Sequence, residues 1–307
     1  MAQTAYIFPG QGSQYVGMAR ELAGASAQAR SLLEEANRIL GFELSTICFE
    51  GPEQELRQTR NTQPAIFLHS ILASRALLER SAEPAMVAGH SLGEYSALVV
   101  AGALSFEDGL RLVRLRGELM QEAGERERGT MAAIVGLEGS ALVALCQEAS
   151  AHGVVQPANF NSPGQTVISG SLEGVRSAME LARQRGAKLV KELVVSGAFH
   201  SPLMQSAREG LMRALETTAI RDARIPLYAN VTAEAVSEAG AIRELLIQQL
   251  TAPVLWEQSI RNMIRDGATK FVELGPGKVL QNLVKRIDSA VALGGVDRPE
   301  DLPEETR

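Results

Sequence analysis

Short β-rich runs alternate with longer helical patterns along most of this chain of 307 residues. The β-rich runs are AYIF near residue 5, AMVAG near 85, IPLYAN near 225, KFVEL near 270 and AVALGG near 290. The helical segments carry start signals, such as Ser105 followed three residues later by Asp108, which is a capping-box pattern. Strands that alternate with helices are typical of a parallel sheet covered by helices. The sequence therefore predicts an α/β fold.

A different order interrupts this alternation between residues 129 and 195. The β-rich segments there are TMAAIVGL, VVQPANFN, SPGQTVISGS and AKLVKELVV, and helices are predicted near 140–151 and over LEGVRSAMELARQRG. The resulting order, βαββαβ, is the ferredoxin-like signature. We therefore expect a ferredoxin-like subdomain at 129–195, inserted into a discontinuous larger domain made of residues 1–128 and 196–296. The charged segment 297–307 contains two prolines and little to bury, so we expect it to be disordered.

Composition and charge exclude several classes of function. The formal net charge of -6 argues against a general nucleic-acid binder, because neutralising phosphates requires a basic surface. The longest uncharged apolar stretch, 97–104, is far too short to span a bilayer. Cys48 and Cys146 lie far apart without metal-ligand spacing, and we interpret them as reduced core thiols. These features predict a soluble, cytoplasmic protein with no nucleic-acid or membrane partner and no metal site.

The segment AMVAGHSLGEYSALVVAGAL contains the sharpest local signal for chemistry. Gly89, Ser91 and Gly93 form a G-x-S-x-G pattern between a small apolar strand and an apolar helix, which is the context of a nucleophile elbow. Such a tight turn pushes the serine Oγ out of the sheet, and the N–H of Leu92 becomes an oxyanion donor by position. The pattern alone also arises by chance, but its strand–turn–helix context favours Ser91 as a nucleophile.

A nucleophilic serine needs a base, and the chain offers four histidines. His69 lies in an apolar helix and is interpreted as a packed residue, His90 should diverge from Ser91 at the turn, and His152 lies near solvent at a helix end. His200 follows a strand in VSGAFHSPLM, a loop suited to present a side chain, and is the candidate base. The only aspartate between Ser91 and His200 is explained by helix capping, so no acid completes a triad. A main-chain carbonyl can orient an imidazole instead, which leaves a dyad possible.

The glycine-rich loop FPGQGSQ follows the first strand and suits close approach of the backbone to a ligand. It lacks the third glycine of a dinucleotide fingerprint and the Lys-Ser/Thr ending of a P-loop. The residues of this loop therefore do not identify its ligand.

Seven motifs in order, FPGQGSQ, TQPAI, GHSLGEY, RLRG, GAFHS, QLTAPVLW and ELGPGKVL, resemble those of the malonyl-CoA:acyl-carrier-protein transacylases over nearly the whole chain. The resemblance implies an α/β-hydrolase-like large domain, with a parallel sheet, that carries the ferredoxin-like insertion. It also implies an acyltransferase that moves a malonyl group from malonyl-CoA to the phosphopantetheine thiol of an acyl carrier protein through a malonyl-serine intermediate, in fatty-acid or polyketide synthesis. No cofactor is implied, because the partner carries the phosphopantetheine, and we expect a monomer.

The resemblance also assigns roles to individual residues. It makes Ser91 the nucleophile and His200 the base, with the main-chain carbonyl of Gln249 orienting His200. The N–H groups of Gln11 and Leu92 become the oxyanion hole, so the GQGSQ loop lies against the acyl group.

Four further residues are implied to contact the substrate. Arg116 would be read as a solvated helix arginine from its neighbours alone, but the RLRG motif matches the arginine that pairs with the malonyl carboxylate through two hydrogen bonds. Asn161, otherwise a turn residue, matches a polar group near the histidine and the substrate, and Gln63 matches a neighbour of the pocket. Phe199 in GAFHS would crowd a 2-methyl branch on the donor.

Three interpretations stay open at this point. GPGKVL is interpreted as a structural strand-to-helix turn rather than a ligand loop. Carrier proteins are usually acidic, so a local basic patch is expected, with Lys188, Lys191, Lys278, Lys285 and Arg286 as candidates. Two rival functions fit the same motifs: a serine hydrolase acting on esters or thioesters, and a non-catalytic module that docks a carrier protein.

Overall fold

The computed structural model describes residues 3–304. Its strands, in chain order, are β1 Gln3–Phe8, β2 Met86–Gly89, β3 Gly129–Val135, β4 Val155–Ser162, β5 Gln165–Ser171, β6 Leu189–Glu192, β7 Leu227–Tyr228, β8 Ala235–Val236, β9 Ala268–Leu274 and β10 Ala292–Val296. Its α-helices are α1 Arg20–Gly24, α2 Ala27–Leu40, α3 Leu44–Glu50, α4 Glu53–Leu56, α5 Thr59–Leu78, α6 Gly93–Val100, α7 Phe106–Arg126, α8 Gly139–Ala149, α9 Leu172–Gln184, α10 Gln205–Thr217, α11 Ala239–Gln249, α12 Trp256–Arg265 and α13 Val279–Ile287. Short 3-10 turns lie at Ser150–His152, Pro202–Met204 and Pro299–Asp301.

The larger sheet has the strand order β10-β9-β1-β2-β7-β8. Neighbouring strands are parallel except for the β7–β8 pair at one edge. The five β-rich runs of the sequence therefore all become strands of one parallel sheet, as predicted, and the two-residue β8 is an addition. Since β1 and β2 run side by side in the same direction, the loops that follow them meet at one edge, where open α/β sheets bind their ligands.

Helices cover both faces of this sheet. On β1, Tyr6 and Phe8 belong to the apolar layer formed with α5, α6 and α7, whereas Ala5 and Ile7 pack with α12 and α13 on the opposite face. This burial of successive residues on both faces is typical of a parallel sheet. The start of α7 follows the sequence signal, because the Ser105 side chain accepts a hydrogen bond from the Asp108 N–H.

The second sheet is antiparallel and has the order β4-β5-β3-β6. With α8 and α9 on one face, it confirms the ferredoxin-like βαββαβ subdomain. Two hydrogen bonds join β4 to the large domain: the Phe160 N–H donates to the Val254 carbonyl at 2.9 Å, and the Val254 N–H donates to the Ala158 carbonyl at 2.8 Å. The domain boundaries drawn at 129 and 195 stay predictions.

The expectation of a disordered tail is wrong for residues 297–304. The Asp297 side chain accepts a hydrogen bond from the Tyr15 hydroxyl at 2.8 Å, and its main-chain oxygen lies 3.0 Å from Nε2 of His69. Leu302 packs against the large core. Low apolar content suggested that nothing holds this segment, but polar groups of the folded body do so. Residues 305–307 lie outside the described residues.

Two smaller expectations concern buried thiols and membrane spans. Cys48 and Cys146 are both free and buried, as predicted. Across residues 3–304, none of the helices combines the length and the apolar character that crossing a membrane requires.

Candidate active site

The turn between β2 and α6 presents Ser91 at the carboxyl edge of the parallel sheet. A Cβ on Gly89 would lie 1.9 Å from the carbonyl carbon of Gly93, and one on Gly93 would lie 2.0 Å from the Phe8 carbonyl oxygen. Only glycine fits at either position, because the elbow passes in direct contact with itself and with β1. Ser91 itself has φ 52°, in the left-handed region that non-glycine residues rarely occupy.

Asn230, just after β7, fixes this turn from the neighbouring strand. Its Oδ1 accepts a hydrogen bond from the Ser91 N–H at 2.7 Å, and its Nδ2 donates to the Gly89 carbonyl at 2.6 Å. Its side chain is almost fully buried. The Ser91 N–H is therefore occupied, and the N–H of Leu92 is the next one along the elbow. Sequence reasoning missed Asn230; its place at the carboxyl end of IPLYAN, a strand of the same sheet, is the signal that could have found it.

Ser91 and His200 form a hydrogen-bonded pair. Ser91 Oγ lies 2.8 Å from His200 Nε2, and His200 Nδ1 lies 2.8 Å from the Gln249 carbonyl and 3.2 Å from that of Ala252. Since carbonyls only accept hydrogen bonds, Nδ1 carries the proton and Nε2 offers its lone pair to the serine hydroxyl. Main-chain carbonyls thus occupy the place that an aspartate has in a triad.

The protonation state of His200 follows from its surroundings. Burial is the larger cause and the nearby Arg116 charge the second, and together they lower the pKa of His200 to about 3. The imidazole is therefore neutral near pH 7, the state in which it can take a proton from Ser91.

Arg116 extends from α7 into the same site and is buried, with 1% of its surface exposed. The interpretation of Arg116 as a solvated helix arginine, which its neighbours in sequence suggested, is therefore wrong. Its Nη2 donates to Ser91 Oγ at 2.9 Å and to Gln249 Oε1 at 3.0 Å, while Nη1 donates to Gln63 Oε1 at 2.8 Å. Burial lowers the pKa of Arg116, and Tyr95 and Glu94 oppose that effect. Between residues 3 and 304, no carboxylate lies in a direct ion pair with this guanidinium, so it is a buried cation able to receive an anionic ligand.

These groups border a cavity of about 240 Å³ between the two sheets. Eight of the nine site residues predicted from the sequence line it: Gln11, Gln63, Ser91, Leu92, Arg116, Asn161, Phe199 and His200. The ninth, Gln249, lies behind His200 and Arg116 and contacts both. In the described part of the chain, no group of three or more His, Cys, Asp and Glu side chains is arranged to hold a metal ion.

Two parts of the site make contacts beyond those expected. Asn161 lines the same cavity as His200, and its Oδ1 lies 2.9 Å from Nε2 of His90. The GPGKVL segment is not only a turn, because Val279 and Leu280 line the cavity. Gly275 in this segment does have a structural role, because a Cβ there would lie 2.5 Å from the Pro9 ring.

The other histidines lie where the sequence indicated. His69 is fully buried in α5 and accepts a hydrogen bond from the Ala19 N–H, and His152 is exposed after α8. The His90 ring packs against Trp256, with 5.6 Å between the ring centroids.

Comparison with known proteins identifies the family of this chain. The family model for the acyl transferase domain matches residues 5–294. The malonyl CoA-acyl carrier protein transacylase of Bacillus subtilis (strain 168) is 46% identical over 303 residues, which cover 98% of this chain and 96% of the relative. The crystal structure of an acyl-carrier-protein S-malonyltransferase from Burkholderia pseudomallei 1710b has a TM-score of 0.93 and 42% identity, with 97% of each chain covered. A malonyl-transacylase solved in complex with a type II PKS acyl-carrier protein has a TM-score of 0.94 and 39% identity, with 98% of this chain and 97% of that chain covered. The chain therefore belongs to the acyl transferase domain family and is an acyltransferase.

Proposed function

We propose that this acyltransferase moves a malonyl group from malonyl-CoA to the phosphopantetheine thiol of an acyl carrier protein, through a malonyl-serine intermediate. The observation that carries the proposal is the convergence of three groups in one cavity. Ser91 Oγ lies 2.8 Å from an imidazole nitrogen and 2.9 Å from a buried guanidinium. The names of the relatives support the choice of donor and acceptor.

In the first half-reaction, Ser91 Oγ attacks the thioester carbonyl carbon of malonyl-CoA. The hydroxyl proton moves to His200 Nε2, and the negative charge that develops on the carbonyl oxygen is stabilised by the N–H groups of Gln11 and Leu92. The C–S bond then breaks, and the coenzyme A sulfur leaves with the proton from His200. A malonyl ester of Ser91 remains.

The carboxylate of the donor has its own partner in this scheme. Arg116 is planar, permanently charged and buried, so it can hold a carboxylate through two parallel hydrogen bonds. The charge of Arg116 is the second cause, behind burial, of the lowered pKa of His200. Pairing with the donor carboxylate offsets that charge. The bound donor thus opposes one of the effects that lower the pKa of His200.

The second half-reaction repeats the chemistry with a new nucleophile. The phosphopantetheine thiol gives its proton to His200 and attacks the ester carbonyl, and the same two N–H groups stabilise the oxyanion. The C–O bond breaks, and Ser91 Oγ takes back the proton. The scheme uses no metal or redox cofactor, and its product serves either fatty-acid or polyketide synthesis.

Incubation with malonyl-CoA, followed by intact mass and peptide mapping, tests the proposal. We expect a mass increase of one malonyl group, located on Ser91 and absent from Ser91→Ala. Absence of any adduct would favour a docking module without catalytic activity. An adduct that is lost rapidly to water in the absence of carrier protein would favour a serine hydrolase.

A further inference from the structure

Glu94 is a buried carboxyl group that the proposed reaction does not use. It lies in the first turn of α6, three residues after Ser91, with 1% of its surface exposed. Its Oε2 accepts hydrogen bonds from Gln249 Nε2 at 2.6 Å and from the Asn230 N–H at 3.4 Å. Burial raises the pKa of Glu94 to about 7, against the opposing effects of Gln249, Asn230 and Arg116. A carboxyl group buried beside an active site is costly, so its contacts there call for an explanation.

Those contacts determine how the Gln249 amide is oriented. Its Nε2 donates to Glu94 and, at 3.0 Å, to the main-chain carbonyl of Ser91. Its Oε1 consequently faces Arg116, whose Nη2 donates to it at 3.0 Å. If the amide were rotated by half a turn, its N–H groups would meet the guanidinium, which has donors only. An acceptor at position 94 therefore keeps the amide oxygen on the side of Arg116.

We propose that Glu94 is a positioning residue for donor selection: through the Gln249 side chain it holds Arg116 where the donor carboxylate can reach the guanidinium. This inference rests on the proposed function, in which Arg116 binds that carboxylate. His200 is held by the main-chain carbonyl of Gln249, which does not depend on the side chain. Loss of Glu94 therefore impairs transfer of malonyl, which needs Arg116, more than transfer of acetyl, which does not.

The test compares kcat/KM for malonyl-CoA and acetyl-CoA in Glu94→Ala and Glu94→Gln, with thermal unfolding as a check on folding. For Glu94→Ala we expect kcat/KM for malonyl-CoA to fall by about tenfold or more, which is the scale of loss from a misplaced binding group. We expect kcat/KM for acetyl-CoA to fall by less than about threefold. Glu94→Gln should restore malonyl transfer to within about threefold, because its carbonyl oxygen can still accept from Gln249 and Asn230. Equal losses with both donors, or equal damage from the two substitutions, would overturn the proposal.

Gln249→Met supplies the second arm, because it removes the amide and keeps the main-chain carbonyl that contacts His200. We expect it to show the same malonyl-specific loss, and we expect Glu94→Ala to add little in the Gln249→Met background, since both substitutions interrupt one chain of contacts. We call the contacts from Glu94 through the Gln249 side chain to Arg116 the relay. Fully additive losses in the double variant would contradict it. If Glu94→Ala does not fold, a loss of both donors alike in Gln249→Met overturns the relay by itself.

Arg116→Ala, measured alongside, separates two failures. If it lowers both donors alike, the carboxylate clamp of the proposed function is wrong, and the relay is overturned with it. If it lowers malonyl transfer selectively while Glu94→Ala lowers both donors alike, the proposed function stands and the relay alone is wrong.

Discussion

Ser91 and His200, the two residues that face each other across the candidate site, both have backbone conformations that are unfavourable for their residue types. Their φ angles are 52° and 57°, in the left-handed region. That region costs a residue with a side chain about 1 to 2 kcal/mol. Contacts from other parts of the chain hold both: Asn230 holds the N–H of Ser91, and Gln156 Nε2 donates to the His200 carbonyl at 2.8 Å. Strain maintained at both members of the pair is consistent with a site whose geometry is fixed before substrate binds.

Ser91→Gly and Ser91→Ala form a matched pair for measuring this strain. Both remove the hydroxyl, so both should abolish acyl-enzyme formation. Glycine occupies the left-handed region without strain, so we expect the relief of strain to favour Ser91→Gly over Ser91→Ala by about 1 kcal/mol. The greater entropy of the glycine variant's unfolded chain offsets part of this gain. Urea unfolding monitored by circular dichroism measures the difference. A glycine variant that is less stable than the alanine variant, by about the unfolded-chain entropy alone, would show that the turn is unstrained.

Arg116→Ala should change which donor the enzyme prefers. Removing one partner of a buried charge pair typically costs about 2 to 5 kcal/mol, or roughly 30-fold to several-thousand-fold in kcat/KM when the contact persists in the transition state. We expect malonyl transfer to fall by such a factor and acetyl transfer to be retained or improved. Arg111→Ala, an exposed arginine on the same helix, is the control. Equal losses for the two donors would make Arg116 a structural residue.

The residues that the sequence identified and those that it missed differ in where their partners lie. Ser91 is identified by a local pattern, and His200 by its loop and by elimination. Glu94 and Asn230 were not found, although Glu94 lies within GHSLGEY, because their partners come from segments more than a hundred residues away. Nothing local to Arg116 shows that it is buried, and only the resemblance singled it out. Local sequence can identify a nucleophile, whereas the groups that position it depend on how distant segments pack.

At the scale of elements, the start of α13 shows a cap that no local pattern predicts. Its N-cap residue is Lys278, whose side chain forms no capping hydrogen bond. Glu273 on β9 supplies the cap instead, accepting from the N–H groups of Leu280 at 3.0 Å and Gln281 at 2.9 Å. The β-rich run KFVEL and the strand-to-helix interpretation of GPGKVL correctly located β9 and the helix that follows. They could not locate this contact, because the carboxylate lies in a different element from the helix that it caps.

Glu273→Gln should destabilise the protein by about 1 to 3 kcal/mol, because an amide places donors opposite the helix N–H groups. The effect should also depend on pH. Burial raises the pKa of Glu273 from 4.5 to about 7, so between those values the native state binds a proton that the unfolded state has released. The stabilising contribution of Glu273 is full below pH 4.5 and declines as pH rises through 7.

Unfolding free energies of wild type and Glu273→Gln, measured from pH 4.5 to 8, test that sign. The difference, wild type minus variant, should decrease as pH rises. Because the variant retains Glu94, His200 and every other titrating group, subtraction isolates position 273. A difference that is constant or that increases with pH would contradict the assignment of a raised pKa.

At the scale of the whole molecule, the candidate site lies between two domains that each contribute walls. The large sheet supplies the elbow and the loop after β1, and the small sheet supplies Met131, Asn159 and Val167. The chain has a net charge of -6, yet exposed basic residues lie beside this cavity. Lys278, Lys285 and Arg286 are exposed on or beside α13, whose Leu280 and Leu283 line the cavity. Lys188 and Lys191 are exposed at β6, in the other domain.

The five basic candidates for carrier docking therefore form two groups, and the α13 group is the better placed of the two. Arg286 Nη1 donates to Gln165 Oε1 at 2.9 Å, which ties α13 to a residue that lines the cavity from the small domain. Reversing Arg286 would break that contact, so the cleaner variant is Lys278→Glu with Lys285→Glu. The matched comparisons are Lys188→Glu with Lys191→Glu, and Arg213→Glu on the exposed surface of α10.

We expect the α13 pair to lower kcat/KM for transfer to an acidic carrier protein by about tenfold at low ionic strength, because charge complementarity acts mainly on the rate of encounter. The salt dependence of transfer should weaken in the same variant, since exposed charges more than about 10 Å apart are largely screened at 0.1 M salt. Formation of the malonyl-enzyme from malonyl-CoA should change little, and Arg213→Glu should resemble wild type in both half-reactions.

Single-turnover measurements of each half-reaction at two salt concentrations test this prediction. Equal damage to both half-reactions would show that α13 supports the site itself, and a loss confined to the Lys188 and Lys191 pair would place the carrier protein on the small domain.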